Sequence, residues 1–194
     1  MTAPRIRLQD PPTAIRPTEP GDAREQLALR IANREHTGPW DPVRDESFYT
    51  EAGQRLELDL DQRSWSSGTA HAFAVVDMSD RDRLIGRVAL SNVVRGPWQN
   101  ATLGYWIDAS VIGHGHATRA VRLACRFAFE HAGLHRVQPA IIPRNIRSVR
   151  VAEKVGFRLE GRALRYLRIN GVWEDHDVYA LTLEDWEAMS GRTM

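Results

Sequence analysis

The run Trp106-Ile-Asp-Ala-Ser-Val-Ile-Gly-His-Gly-His-Ala-Thr118 constrains this chain more than any other segment. A strand-patterned stretch ends at Asp108, glycines stand at 113 and 115, and an apolar helical pattern (Ala120, Val121, Ala124, Cys125, Ala128) begins directly behind them. Glycine at those two places lets the backbone turn tightly and leaves its N–H groups uncovered by a Cβ. A helix start concentrates unpaired N–H donors and partial positive charge, so strand, bend and helix together make a seat for a pyrophosphate. As a bare pattern, Gly-x-Gly before a helix is weak evidence. Two phosphate folds are set aside by their own requirements. A P-loop needs Lys and Ser/Thr after its last glycine, where this chain has His116 and Ala117. A dinucleotide fold needs a glycine at Thr118 and an acidic residue about twenty positions on, and His135-Arg-Val-Gln138 has none.

Around this segment the patterns change period. A short strand over residues 14–16 is followed by Pro17-Thr-Glu-Pro-Gly-Asp22, where Asp22 can cap a helix carrying Leu27, Leu29, Ile31 and Ala32. A second helix is expected over residues 46–61, with Phe48, Ala52, Leu56 and Leu60 along one side. From His71 the character becomes β, and residues 72–76, 84–94 and 101–108, separated by polar turns, predict an antiparallel meander. A long helix over residues 115–132 ends at Gly133. Then come a strand at 136–142, a helix at 146–155, a strand near 157–164, a hairpin tipped by Asn170-Gly171, a closing strand at 172–182 and a short helix at 183–189. This order predicts a mixed α/β fold of the α+β kind, with a largely antiparallel central sheet of about seven strands flanked by helices.

At 194 residues the chain can bury a core as one domain without disulfides or metals. Residues 1–12, with prolines at 4, 11 and 12, read as a flexible arm, and residues 13–194 as a single domain. The 26 basic and 25 acidic residues nearly balance, which gives no support for direct nucleic-acid or membrane binding. No apolar run approaches the roughly 20 residues of a membrane span and no signal peptide is visible, so a cytoplasmic location is expected. Cys125, the single cysteine, falls inside an apolar helical pattern and reads as a small core residue. His114/His116 and His131/His135 have ligand-like spacings, but about sixteen residues of helix hold the pairs roughly 24 Å apart. Neither pair alone supplies the ligands zinc needs, so no metal is expected.

The segment Leu103-Gly-Tyr-Trp-Ile-Asp108, followed by Gly113-His-Gly-His-Ala117 and its helix, resembles the acetyl-CoA motif of the GNAT superfamily of N-acyltransferases. Pro143-Arg-Asn-Ile-Arg-Ser148, Ala152-Glu-Lys-Val-Gly-Phe157, Leu159-Glu-Gly161 and Ile169-Asn-Gly-Val-Trp173 are similar to segments of the RimJ/RimL type, the ribosomal-protein alanine N-acetyltransferases. The likeness extends from about Thr13 to Leu183. It departs at Val111 and Ile112, where the family often has Gln or Arg. Because such a cradle works through main-chain N–H groups, that change is expected to weaken binding rather than abolish it. His114 and His116 stand where Lys or Arg and an aromatic residue are more usual, and are expected to add a pH-dependent attraction to the phosphates.

The resemblance implies acetyl-CoA as cosubstrate, no metal, and direct attack of a neutral primary amine on the thioester through a tetrahedral intermediate. It places Trp106, Ile107, Ile112, Gly113, His114, Gly115, His116, Ala117, Thr118, Asn145, Arg150 and Lys154 along the cofactor. Strands 101–108 and 136–142 would splay to admit pantetheine, and an N–H near Ile107 would polarise the thioester carbonyl. Asn145 either orders the pantetheine or simply caps the helix behind it, and Ser148 either protonates the leaving thiolate or is likewise a cap. Leu167 and Arg168 stand where some relatives carry an acid, which leaves Asp175, His176 or water as the base. The segment from His36 to Asp41 resembles the family's acceptor lining, placing Trp40 and Asp41 beside the amine; packing is the alternative role for Trp40. The implied acceptor is the alanine or serine N-terminus of a ribosomal protein, or a small-molecule or antibiotic amine, with the enzyme a monomer or homodimer. A non-catalytic acetyl-CoA sensor is the competing reading; the complete glycine loop and Asn145 favour an enzyme. Arg119, Arg122 and Arg126 form a basic stripe, read as a solvated helix face with nucleotide phosphates or RNA as its other possible partners.

Overall fold

The structure, a computed structural model, describes residues 3–191; the ends of the expected arm and domain, residues 1–2 and 192–194, lie outside the described residues. The arm is not loose. Strand β1 (Leu8–Asp10) pairs antiparallel with β2 (Thr13–Pro17), and Ala3 and Leu8 are buried. The Trp65 indole donates to the Ala3 carbonyl at 3.1 Å, and Arg7 pairs with Asp82 at 2.8 Å. Both partners are distant in sequence, which is why local patterning marked this stretch as unanchored.

Helix α1 (Ala23–Ala32) buries Gln26, Leu29 and Arg30, while Ile31 is 55% exposed. Asp22 does not cap it: its carboxylate takes Arg16 at 2.6 and 2.9 Å and the Glu19 N–H at 2.8 Å. Helix α2 (Arg34–Thr37) is a single turn. The helix expected over 46–61 is two elements, a 3-10 turn at Glu46–Tyr49 and α3 (Glu51–Ser67). Thr50 separates them, extended in backbone and accepting the Gly53 N–H at 3.0 Å as an N-cap. The buried side of α3 is Gln54, Leu58 and Trp65, and Leu56 and Leu60 face outward. The stripe read for α3 thus faces outward, and of the four residues read for α1 only Leu29 is fully buried, alongside Gln26 and Arg30.

The expected meander is present: β3 (His71–Asp77), buried along its whole length, β4 (Arg83–Val94) and β5 (Asn100–Ile107). After it come α4 (His116–Glu130), β6 (Arg136–Ile141), α5 (Ile146–Val155), β7 (Arg158–Ile169), β8 (Val172–Thr182) and α6 (Leu183–Ser190). The sheet has eight strands in the order β1-β2-β3-β4-β5-β6-β8-β7. Strand β8 lies inside, between β6 and β7, so β7 forms the edge in place of the expected last strand. One face is covered by α4, whose Phe127 stacks edge-on against Phe73 and near Trp65. On the other face Leu29 of α1 meets Ala74 and Leu84. Cys125 is fully buried and burial pushes its thiol pKa up, as suits a core residue. Among the described residues no helix is long and apolar enough to cross a membrane.

All neighbouring strands run antiparallel except β5 and β6, which are paired in parallel only from Asn100↔Arg136 to Leu103↔Pro139. Pairing stops at a proline, which has no N–H to give a ladder. Gly104 to Ile107 of β5 therefore have no strand partner on that side, while β4 holds them on the other.

That hold requires a glycine. A Cβ at Gly86, opposite Ile107, would meet the Trp106 carbonyl oxygen at 2.3 Å. Gly86→Ala is expected to cost about 1–3 kcal/mol in denaturant unfolding. Gly104→Ala, where a Cβ meets nothing within 4 Å, should change stability by no more than about 0.5 kcal/mol.

Candidate active site

The loop between β5 and α4 is gripped on both sides. Before it, Asp108 accepts from Ser110 Oγ (2.7 Å), Arg83 (3.0 Å) and the Asn33 amide (3.1 Å). Asn33 Oδ1 in turn accepts the Ala109 N–H at 2.8 Å. Burial works against the Asp108 carboxylate, but those hydrogen bonds outweigh it and hold its pKa down to about 2. Behind the loop, His116 is buried with Nδ1 2.8 Å from Thr13 Oγ1 and Nε2 3.8 Å from Asp77. Burial lowers its pKa against the pull of Asp77, so the imidazole is uncharged at neutral pH and faces the core. The expected attraction of His116 to phosphate is thus corrected. Its side chain fastens the helix, and only its backbone borders the loop.

Between these clamps Gly113 and Gly115 have φ of +90° and +82°, a region side-chain-bearing residues rarely occupy. The first i→i−4 bond of α4 is Arg119 N–H to Gly115 O at 3.1 Å, which leaves the N–H groups of Gly115, His116, Ala117 and Thr118 without a main-chain acceptor. Ile112 and His114 spend theirs on long turn bonds of 3.4 Å. Arg119 was read only as part of a helix stripe, yet it lies at the loop, donating to the His114 carbonyl at 3.1 Å. Arg150 and Lys154 are exposed on α5, and the Lys154 carbonyl accepts from Arg122 at 3.4 Å. Val111 is buried and Ile112 exposed, so neither supplies a polar group to the loop.

The unpaired end of β5 opens beside this seat. Asp108 N–H bonds Ile85 O of β4 at 2.7 Å. Strand alternation then turns the Ile107 and Tyr105 backbone groups the opposite way, into the gap toward β6. Trp106, expected among the cofactor contacts, points its indole to α1, stacked 4.2 Å from the Arg30 guanidinium. Across the gap Asn145 is the N-cap of α5, its Oδ1 accepting the Ser148 N–H at 3.2 Å. Tyr105, missed in the sequence, sends its hydroxyl to the Ser148 carbonyl at 3.4 Å. Burial pushes its pKa up to about 12, keeping the phenol neutral. An alternating strand marks such a tyrosine only as one face or the other.

On the Trp106 side Arg30 is buried against the Trp106 and Phe48 rings and 3.3 Å from Asp41. Burial lowers the Arg30 pKa and raises that of Asp41, each opposed by the other's charge. The Asp41 carbonyl accepts the Asn170 N–H at 2.9 Å, joining the 38–41 loop to the tip of the β7–β8 hairpin. Trp40 stacks 5.2 Å from Arg144. Arg144 also lines an open cleft of about 350 Å³ with Ile142, Pro143, Trp173, Glu174 and Asp175. Asp175, a candidate base, already accepts the Arg165 N–H at 2.8 Å, and His176 is buried with Nδ1 donating to the Glu174 carbonyl at 3.0 Å. The second cleft, about 320 Å³ between the starts of α1 and α3, contains no residue of the loop. Among the described residues no group of three or more His, Cys, Asp or Glu is placed to hold a metal ion.

Exposed helix-start amides beside a strand that parts from its parallel neighbour are what a nucleotide-bearing thioester requires. The chain belongs to the GNAT acetyltransferase family: residues 13–158 match the family model described as an acetyltransferase (GNAT) domain. It is 41% identical over 173 residues to the probable N-acetyltransferase YjcK of Bacillus subtilis, covering 89% of this chain and 95% of that one. It is 34% identical over 183 residues to the [ribosomal protein uS5]-alanine N-acetyltransferase of Escherichia coli, covering 94% of each. Among solved structures, Mycobacterium smegmatis RimJ in complex with CoA-disulfide superposes with a TM-score of 0.86 at 28% identity, over 93% of this chain and 90% of that one. The chain is an N-acetyltransferase with acetyl-CoA as donor.

Because the Asp108 pKa is depressed in the fold, its ion stabilises the loop above about pH 4 and loses that effect as pH falls toward 2. The stability deficit of Asp108→Asn relative to the natural chain should therefore be full at pH 6 and shrink between about pH 4 and pH 2 in denaturant melts. A deficit independent of pH would assign it to packing.

Proposed function

We propose that the acceptor is the α-amine of a protein chain beginning with alanine or serine, and that the cleft beside Asn145 receives it. The observation carrying this reading is the cleft's form: open, walled by Ile142, Pro143 and Trp173, with Trp173 itself 60% exposed. An exposed apolar rim suits a polypeptide that extends beyond its reacting end. The named activity of the E. coli relative, on ribosomal protein uS5, agrees with it. Such an acceptor places the reaction in the cytoplasm.

In this reading the amides of Gly113 and residues 115–118, with Arg119, hold the diphosphate of acetyl-CoA, and Arg150 and Lys154 add positive charge along the adenosine end. The thioester supplies the acetyl group. Ile107 N–H, turned into the gap, donates to the oxygen where negative charge develops. Asp41 and Trp40 border the approach of the amine. Ser148 Oγ, held at the first turn of α5 by the Asn145 cap, passes a proton to the departing sulfur and regains one from water, with the neutral Tyr105 hydroxyl beside it. The amine's own proton leaves to water or to Asp175.

Mass-spectrometric screening of Ala- and Ser-starting peptides against aminoglycosides, nucleoside antibiotics and polyamines tests the acceptor class. N-terminal acetylation of the peptides is expected; transfer confined to small amines would overturn it, and acetyl-CoA binding with no transfer to any amine would make the chain a sensor. Ser148→Ala should lower kcat by about 10²-fold with acetyl-CoA affinity nearly unchanged. Gly115→Trp, at a φ of +82° with Arg119 against it, should abolish acetyl-CoA binding in calorimetry. Full turnover in the first variant would reduce Ser148 to a structural part of the helix start.

A further inference from the structure

The cleft contains an ion pair that none of the steps above employs. Arg144 Nη2 lies 2.8 Å from Glu174 Oε1; the arginine side chain is 51% exposed and the glutamate 25%. The carboxylate is thus inside the cleft and the cation at its mouth, with the guanidinium also over the Trp40 ring at 5.2 Å. The backbone at Glu174 is fixed, opposite Leu167 in the β7–β8 ladder and with its carbonyl taken by His176. The adjacent carboxylate is differently placed: Asp175 Oδ1 accepts the N–H of Arg165, whose φ is +49° at an irregularity in β7. Of the two acids lining the cleft, Asp175 is tied to backbone and Glu174 to one half-exposed side chain.

The geometry points to Glu174 as the group that receives the acceptor's ammonium, with Arg144 occupying that place when no amine is bound. This deepens the acceptor reading above and rests on the cleft being the acceptor site. A half-exposed ion pair of this kind is weak, so its exchange for a substrate cation costs little. On release, the guanidinium keeps the face of Trp40, a favourable cation–π position. Trp173, beside the carboxylate in the cleft lining, gives the incoming cation an apolar wall. The pair selects amines that carry a positive charge and discriminates against neutral groups of the same shape, because only a cation repays the loss of Arg144 from Glu174. Glu174 is a specificity-determining residue, and Arg144 is its internal competitor.

Competition predicts opposite signs for two substitutions in one pair. Glu174→Gln should raise the acceptor KM about tenfold or more, the loss of a charged hydrogen bond in a partly buried site. Arg144→Gln should lower the acceptor KM several-fold by freeing the carboxylate. Both should leave the KM for acetyl-CoA and the thermal midpoint close to those of the natural chain. A structural ion pair would not produce a fall in KM, so an unchanged or raised acceptor KM in Arg144→Gln overturns the proposal, as does an unchanged KM in Glu174→Gln. If Glu174→Gln does not fold, Arg144→Gln decides alone. The kinetics use whichever amine the natural chain acetylates best. Should that be a polyamine, the protein-acceptor reading fails while the two KM shifts still test the pair.

Discussion

A short row of backbone amides with no acceptor of their own, at residues 115–118, is the constraint to which the rest of the chain answers. A free loop of this composition would close on itself, as the long bonds of Ile112 and His114 begin to do. It is kept open because its two ends are fastened to different parts of the fold. Asp108 is held by Asn33, Arg83 and Ser110; His116 is held by Thr13 and set against Asp77. Most of those partners come from the first half of the chain. The N-terminal strands and α1 are thus the foundation of the cofactor seat as well as a cover for the sheet.

Strand β5 divides the chemistry by its own alternation. Tyr105 and Ile107 belong to the face packed by α4 and α5, while Trp106 faces α1. The α1 and α3 side is correspondingly polar inside: Gln26 bonds Gln54 at 2.8 Å, Arg87 bonds Asp61 at 2.6 Å, and Arg30 is stacked between aromatic rings. Buried ion pairs contribute little net stability compared with apolar packing of the same volume. A face built this way gives up part of the core's energy for fixed polar groups near the acceptor approach, and the apolar α4 face supplies the compensation through Phe73, Phe127 and their neighbours.

This division explains what could be read from residues alone. The meander, the α4 helix and the glycine loop were legible because each is specified locally, by β-type runs between polar turns, by helical period, and by glycines that reach positive φ. The buried faces of α1 and α3 were misread in part because Gln26, Arg30 and Gln54 lie among Leu29, Leu58 and Trp65, and hydrophobic periodicity does not detect buried amides and arginines. The anchoring of residues 3–10 depends on Trp65 and Asp82, and the inward turn of His116 on Thr13 and Asp77, all far away in sequence. Placement of β8 inside β7 is likewise a matter of long-range pairing. Around the opening, the bend at Gly113 and Gly115 and the helix start at Asn145 and Ser148 were marked by motif. Tyr105 and Glu174 were not, since a strand residue announces its face only once its partners are known.

The end of β6 brings these halves together. Pairing with β5 ceases at Pro139, and within a few residues the chain must serve both sides of the opening. Arg144 turns to Trp40 and Glu174, on the hairpin side, while the very next residue, Asn145, caps α5 and fixes Ser148 beside Tyr105. The hairpin is itself joined to the 38–41 loop through the Asn170 bond to Asp41, so the two partners of Arg144, Trp40 and Glu174, come from segments tied to each other. In the proposed reading, acceptor and donor are thus positioned from one short connection whose path is set by where a parallel ladder stops. A side-chain change at Pro139 that let the ladder continue would narrow the opening and displace both residues at once, which makes the termination of pairing as much a part of the active site as any group that touches substrate.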